Sequence, residues 1–226
     1  MINQCLINFV FLFLSYVLGS IPFAYIVTKI SSGKNIYDIG WKKSSGSNVT
    51  KNIGILEGGL TMFLDIGKAF LAIYLAKYFG LSDTMQVFCG LMTIIGHNWS
   101  IFMNFQGGRG LASLIGAVLA LSPITLFIVL IPTIFFAIIW TASIGTIISL
   151  ILGIFISFKG GFIFEPVGYL FILSLIPIFI KRLSPIKELF ETKGEKKKEL
   201  IENRLIFDQD TVPPFRLKFL KNKKPL

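Results

Sequence analysis

Residues 111–158 read LASLIGAVLALSPITLFIVLIPTIFFAIIWTASIGTIISLILGIFISF, 48 consecutive residues without one charge. A helix crosses the hydrocarbon of a bilayer with about 20 apolar residues, so this stretch makes two comfortable spans or three short ones. The rest of the chain agrees. Of 226 residues, 54% are AVILMFWYC, only 15% are charged, and 23 are phenylalanine; mean hydropathy is +0.74. A soluble domain carries roughly a quarter charged residues. A soluble enzyme, a disordered tail and a secreted disulfide scaffold are excluded, and the fold class is all-α, a polytopic membrane protein.

Cys5 and Cys89 both lie in apolar runs and read as two small buried or lipid-facing residues, with no disulfide framework. Residues 1–8 contain no Lys or Arg, and the apolar run that follows is too long for a signal-peptide core. The first span is expected to stay in the membrane.

Working outward, a first span is expected from about Leu6 to Ile30, with Gly19 and Pro22 inside it. The second covers about Leu56–Phe79, the third Thr84–Phe105, and the last Val167–Ile180. Loop charge decides how residues 111–158 divide, because Lys and Arg accumulate on the cytoplasmic side. With three spans there, turning at Pro123 and at Thr141-Ala142-Ser143, 19 of the 22 cations face the cytosol. With two spans, the thirteen cations from Lys181 onward would face outward. The expectation is therefore about seven transmembrane helices, N-terminus outside and C-terminus cytoplasmic. Residues 1–183 form the transmembrane domain and 184–226 a charged cytoplasmic tail. The net charge of +10 belongs mostly to surfaces that anionic lipid head groups attract. No aromatic-interleaved basic patch accompanies it, so nucleic acid is not an expected partner.

Two polar loops fall on the cytosolic face. The first is Gly40-Trp41-Lys42-Lys43-Ser44-Ser45-Gly46-Ser47-Asn48-Val49-Thr50-Lys51. Its small residues let backbone N–H groups converge on an anion, and its hydroxyls and lysines add donors; a flexible Gly/Ser linker has the same composition. The second, Gly107-Gly108-Arg109-Gly110, runs directly into a helix. Free N–H groups and the positive end of the helix dipole face it, and Arg109 offers a bidentate fork to phosphate. A tight turn with one topogenic arginine is the plainer reading. Two such loops on one face suggest a phosphate-bearing substrate met from the cytosol at the membrane surface.

Within the second span, Asp65 and Lys68 are three apart and share a helix face. Ionisable groups at that depth face a polar interior or each other, so they form a structural ion pair or present Lys68 to substrate. His97, the only histidine, is expected near the cytosolic end of the third helix, about two turns before the glycine loop. It is an interhelical hydrogen-bonding residue or a base. There is no second His or Cys for a metal site and no Gly-x-Ser-x-Gly nucleophile motif, so neither metal nor other cofactor is expected.

Several of these segments are shared with a known family. Gly19-Ser20-Ile21-Pro22-Phe23, Asn48-Val49-Thr50-Lys51 and Leu64-Asp65-Ile66-Gly67-Lys68 resemble the first region of the bacterial acyl-phosphate:glycerol-3-phosphate acyltransferases (PlsY family). Gly96-His97-Asn98-Trp99, followed by Phe105-Gln106-Gly107-Gly108-Arg109-Gly110-Leu111-Ala112, resembles that family's second motif more closely still. The segments occur in family order and spacing, and the similarity covers about residues 1–190.

The resemblance implies a seven-helix, multi-pass protein of a bacterial plasma membrane, with its active face cytoplasmic. It implies acyltransferase chemistry in phospholipid synthesis: an acyl group moves from acyl phosphate to the 1-hydroxyl of glycerol 3-phosphate, giving lysophosphatidic acid and inorganic phosphate, without a metal or cofactor. Glycerol 3-phosphate, acyl phosphate and membrane lipids are the implied partners. Gly107, Gly108 and Gly110 are the implied phosphate loop. Ser47, Asn48, Lys68 and Arg182 are implied to bind substrate or phosphate. His97, Arg109 and Lys51 are the implied catalytic groups, with His97 or a substrate phosphate oxygen accepting the hydroxyl proton.

The chain departs from the family pattern at four places. The family's first motif opens Gly-Ser-Gly-Asn, and the ungapped alignment puts Trp41 at its serine. The arginine after the Asn-Val pair is Lys51, and the usual lysine of the glycine loop is Arg109. The third motif, His-Arg-x-Asn-Ile, reads Lys181-Arg182-Leu183-Ser184-Pro185. A non-catalytic relative that binds a phosphate-bearing metabolite or lipid therefore stays open as an alternative. So do a relative with another acyl acceptor and, more remotely, a small transporter. The long tail from Lys187 is unusual for the family. It carries a basic cluster, Lys193–Lys198, and Glu188–Phe207 is expected to form a surface helix that partly buries Leu189, Leu200, Ile201, Leu205 and Ile206. A solvated extension, a membrane-surface anchor and a partner site are its three readings.

Overall fold

A computed structural model describes residues 3–159 and 165–206, and among these every regular element is helical. The helices are α1 (Gln4–Ser20), α2 (Phe23–Ser32), α3 (Gly46–Asn52), α4 (Ile55–Tyr78), α5 (Asp83–Asn98), α6 (Leu111–Leu121), α7 (Pro123–Ile139), α8 (Ala142–Lys159), α9 (Glu165–Leu183), α10 (Ile186–Glu191) and α11 (Gly194–Ile206). Short 3₁₀ turns lie at Ile36–Asp38 and Ile101–Met103. Four segments among the described residues are long and apolar enough to cross a membrane: α1 with α2, α4, α8 and the Pro166–Leu183 part of α9.

The uncharged stretch divides into three helices at both expected turning points. At the first, the Ser122 hydroxyl accepts the Thr125 N–H and Pro123 opens α7. That is a capping serine followed by a residue whose missing N–H costs nothing at a helix start. At the second, the Thr141 hydroxyl accepts the Ile144 N–H at 3.3 Å.

Two spans differ from expectation. The first is not one helix: Pro22 breaks it, and the chain restarts as α2 because proline can neither donate to the ladder nor fit its interior. The third ends at Asn98, well before Phe105. Residues 99–106 are apolar enough to read as helix, but Asn104 and Phe105 take positive φ (50° and 60°) and turn the chain back on itself. The amides of Ser100 and Phe105 close that turn onto the Gln106 and Ser100 carbonyls.

α5 is the central helix, packed against α1, α4, α6 and α9. The α1–α5 contact is backbone to backbone: the space a side chain would need at Gly19 or Gly96 is filled by main chain of Thr93 and of Tyr16–Ser20. Ile73, Ile94, Leu114, Val118, Leu170 and Ile178 form the apolar core beside it. Tyr16 Oη donates to the Trp99 carbonyl at 2.8 Å, and Ser100 Oγ donates to the Ser20 carbonyl. These bonds tie the ends of α1 and α5 together where the polar loops begin.

The tail is two short helices rather than one. α10 and α11 are separated at Thr192-Lys193, with Leu189 buried and Leu200, Ile201, Leu205 and Ile206 half-buried. Phe207 and the residues after it lie outside those described. α11 rests on α8 and α9, where Ser143 Oγ donates to the Leu205 carbonyl at 2.9 Å.

Candidate functional site

Asp65, Lys68 and His97 meet in the interior, only 2%, 4% and 7% exposed. Lys68 Nζ lies 2.7 Å from Asp65 Oδ1, 3.1 Å from the Ile21 carbonyl and 3.1 Å from His97 Nδ1. The Ile21 carbonyl is available because Pro22 ends α1 there. An ammonium has three hydrogens to give and no lone pair, so three acceptors satisfy it. His97 Nδ1 is also 3.3 Å from Asp65 Oδ1; it can accept from the Lys68 ammonium, with the ring proton on Nε2, or donate to the Asp65 carboxylate, but not both at once. The helix-face reading of Asp65 and Lys68 and the interhelical reading of His97 therefore converge on one network.

His97 Nε2 points at the glycine loop. A Cβ on Gly108 would fall onto Nε2 and the Ser44 carbonyl, and one on Gly107 onto the carbonyls of His97 and Asn98. The Gly108 N–H donates to the His97 carbonyl at 3.1 Å. His97 is thus directly against the loop, not two turns away, because α5 stops early and the chain folds back. Gly110 (φ 76°) sits immediately before α6 in a conformation that favours glycine, and the first N–H groups of α6 face the loop. Asn98 Nδ2 anchors this end of α5 to the Pro177 carbonyl of α9 at 3.0 Å.

The first loop is ordered and half helical. Ser45 caps α3 by accepting the Asn48 N–H at 3.3 Å. Asn48, fully buried, is the loop's organiser: Oδ1 accepts the Trp41 N–H at 3.2 Å, while Nδ2 donates to the carbonyls of Lys43 (3.0 Å) and Ile39 (3.2 Å). Its side chain is used up in holding the loop. Ser47 is exposed and 3.3 Å from Ser45. Lys51 is exposed with its ammonium 5.2 Å from the Trp41 ring centroid. Arg109 is half-buried between the glycines.

Between the two loops and the end of α9 lies a cleft of about 490 Å³, lined by Tyr37, Lys42, Lys43, Trp99, Phe105, Gln106, Gly107, Gly108, Lys181, Ser184 and Pro185. Three lysines, two adjacent in the first loop and one near the end of α9, face one cavity beside the glycine loop, a positive basin suited to a phosphate monoester. Lys181 Nζ stands 5.3 Å from the Trp99 ring centroid. Burial pushes the Tyr37 phenol above its ordinary range, so it remains a neutral hydroxyl on the cleft wall.

In the sequence, Lys42 and Lys43 count only among the anion donors of the first loop, and Lys181 is not a candidate. The signal available was charge at a turn, which topology alone explains equally well. Arg182 does not line this cleft. It is buried, with its guanidinium donating to the Ser143 carbonyl (3.3 Å) and Thr146 Oγ1 (2.9 Å) of α8. Successive residues on a helix point about 100° apart, so the neighbour Lys181 takes the cleft side.

A sequence model of the glycerol-3-phosphate acyltransferases matches residues 9–192. The chain belongs to the glycerol-3-phosphate acyltransferase family. Among the family's members, a glycerol-3-phosphate acyltransferase of Prochlorococcus marinus (strain NATL1A) is 33% identical over 190 residues, covering 82% of this chain and 96% of its own. Glycerol-3-phosphate acyltransferase 5 of Dehalococcoides mccartyi is 32% identical over 201 residues, covering 86% of this chain and 85% of its own. The fold matches the crystal structure of PlsY, an integral membrane glycerol 3-phosphate acyltransferase, in its glycerol 3-phosphate form. The TM-score is 0.71 at 28% identity, covering 81% of this chain and 92% of that one. A second PlsY structure, in the lysophosphatidic acid form, gives a TM-score of 0.68. The resemblance drawn from the two motifs thus identifies the family, and the chain is a helical membrane protein.

Proposed function

We propose that this protein transfers an acyl group from acyl phosphate to the 1-hydroxyl of glycerol 3-phosphate, at the cytoplasmic face of a bacterial plasma membrane. The observation that carries this reading is the cleft: Lys42, Lys43 and Lys181 converge beside Gly107 and Gly108, with His97 immediately behind. The family's substrate supplies the phosphate such a basin would hold. The reading takes the chain as seven-spanning, with α1–α2, α4, α5, α6, α7, α8 and α9 as spans and N-terminus outside. That orientation gathers the cleft and the cation-rich segments on one side.

In this mechanism the lysines and the loop amides bind the phosphate of glycerol 3-phosphate. Arg109 and Lys51 are not among the residues lining the cleft; the family resemblance assigns them as charge-stabilising groups beside it, and Lys68 acts through His97. The glycerol hydroxyl oxygen attacks the acyl carbon, the carbon–oxygen bond to phosphate breaks, and inorganic phosphate leaves. With its proton on Nε2, His97 is a donor to the developing negative charge rather than the base. A phosphate oxygen of the substrate accepts the hydroxyl proton, which removes the need for the third-motif histidine.

The test is protein reconstituted in lipid with palmitoyl phosphate and radiolabelled glycerol 3-phosphate, reading product and released phosphate together. Labelled lysophosphatidic acid with equimolar phosphate is expected. Binding of glycerol 3-phosphate without product would overturn acyl transfer and leave a phosphate-binding relative, the reading that the altered first and third motifs favour.

A further inference from the structure

The cleft wall formed by the end of α9 presents Lys181 to the cavity, and beyond that lysine its backbone is gripped from two sides. Arg204 Nη1 donates to the Leu183 carbonyl at 2.9 Å and to the Pro185 carbonyl at 3.2 Å. Between them, the Ser184 carbonyl accepts from Lys43 Nζ at 3.4 Å. Three consecutive carbonyls are thus held by two cations, one from the first loop and one from the tail. Ser184, Pro185 and Lys43 all line the cleft.

Arg204 is 1% exposed, and Glu188 of α10 pairs with its other terminal nitrogen. Burying a guanidinium is costly unless its hydrogens and charge are met; here the wall carbonyls and Glu188 meet them. Only a planar fork spans two carbonyls two residues apart while also pairing a carboxylate, and an ammonium does not reproduce that geometry. The rest of α11 is oriented by the Ser143–Leu205 bond. A merely solvated tail would leave Arg204 in water, and a membrane anchor would turn it to head groups.

We infer that Arg204 is a positioning residue: it makes the C-terminal helix α11 a working part of the phosphate cleft by fixing Leu183–Pro185, so that Lys43 and the adjacent Lys181 are held at the spacing the phosphate needs. This inference rests on the cleft being the site for glycerol 3-phosphate.

The experiment uses the full chain in lipid, with Arg204→Met, Arg204→Lys, Lys43→Met and the Lys43→Met/Arg204→Met double variant. It measures KM for glycerol 3-phosphate, KM for palmitoyl phosphate, kcat, and the thermal midpoint. Losing charge-assisted hydrogen bonds to the wall should raise KM for glycerol 3-phosphate about tenfold, with KM for palmitoyl phosphate nearly unchanged. Arg204→Lys should keep the thermal midpoint but not restore KM. The double variant should lose less than the product of the single effects, because both cations act through one segment. Unchanged KM in Arg204→Met would overturn the inference. So would a fall in thermal midpoint that moves both KM values alike, or independent effects in the double variant. If the unsubstituted chain binds glycerol 3-phosphate without turnover, acyl transfer fails and Arg204 is judged by the same shifts in Kd. A chain that does not bind it overturns both readings.

Discussion

His97 and Gly108 are locked to each other twice. The Gly108 N–H donates to the His97 carbonyl at 3.1 Å, and the imidazole Nε2 occupies the place where a Gly108 side chain would begin. The loop therefore has no room for one methyl group. The obstacle is purely spatial, since Gly108 is not among the positive-φ glycines. Gly108→Ala should lose most acyl transfer while costing about 1–3 kcal/mol of stability, measured by product formation and thermal unfolding in detergent. Full activity would mean the loop does not hold phosphate against His97.

The buried network predicts an asymmetry. Lys68→Met leaves the buried Asp65 carboxylate with only His97, 3.3 Å away, and should destabilise by roughly 3 kcal/mol. Asp65→Leu combined with Lys68→Met should recover most of that stability but none of the activity, because His97 Nδ1 has then lost both side chains that fix its tautomer. Denaturation and product assays on both variants read the two effects separately.

Lys42 has φ 52°, a left-handed conformation that costs a residue with a Cβ about 1–2 kcal/mol. Lys42→Gly should raise the thermal midpoint and, by removing a cleft cation, raise KM for glycerol 3-phosphate. A fall in both quantities would contradict the loop geometry.

Lys181 and Arg182 should separate cleanly. Lys181→Met removes a cleft cation and should raise KM several-fold with little change in stability, an effect that grows less distinct at high salt. Arg182→Met strips buried donors from Ser143 and Thr146 and should lower the thermal midpoint first. The reverse pattern would place the phosphate on the other side of α9.

Cys5 is exposed and Cys89 buried, which makes the chain its own topology reporter. A membrane-impermeant maleimide added to intact cells should label Cys5 alone. Labelling that requires permeabilisation would put the N-terminus inside.

The helices were legible because their signals are local. Pro123 after Ser122, the uncharged run and the glycine loop each act within a few residues. Asp65 and Lys68 share a face by spacing alone, so their pairing was legible too. The third partner was not, since His97 reaches them only through the packing of α5 against α4. Asn104 and Phe105 hid that end: nothing in an apolar run of Trp, Ile, Phe and Met announces a left-handed turn. The family resemblance makes Asn48 a ligand, while in the fold its amide is engaged with the backbone of Trp41, Ile36, Ile39 and Lys43. Lys43 and Arg204 meet one strap of carbonyls from opposite directions, a convergence of residues 141 and 21 positions away from it that no spacing rule anticipates.

The shortness of α6 has a physical consequence for the substrate. Eleven residues make a helix about 16 Å long, against hydrocarbon about 30 Å thick. On the seven-span reading proposed above, in which α6 crosses the membrane, hydrophobic mismatch of that size would pull the leaflet down around the loop or sink the loop below the head groups, and the exposed Ile101, Phe102 and Phe105 beside it would favour contact with lipid tails. An acyl donor can then slide in sideways from the leaflet with its chain still solvated by oil, while its phosphate end meets a water-soluble acceptor arriving from above.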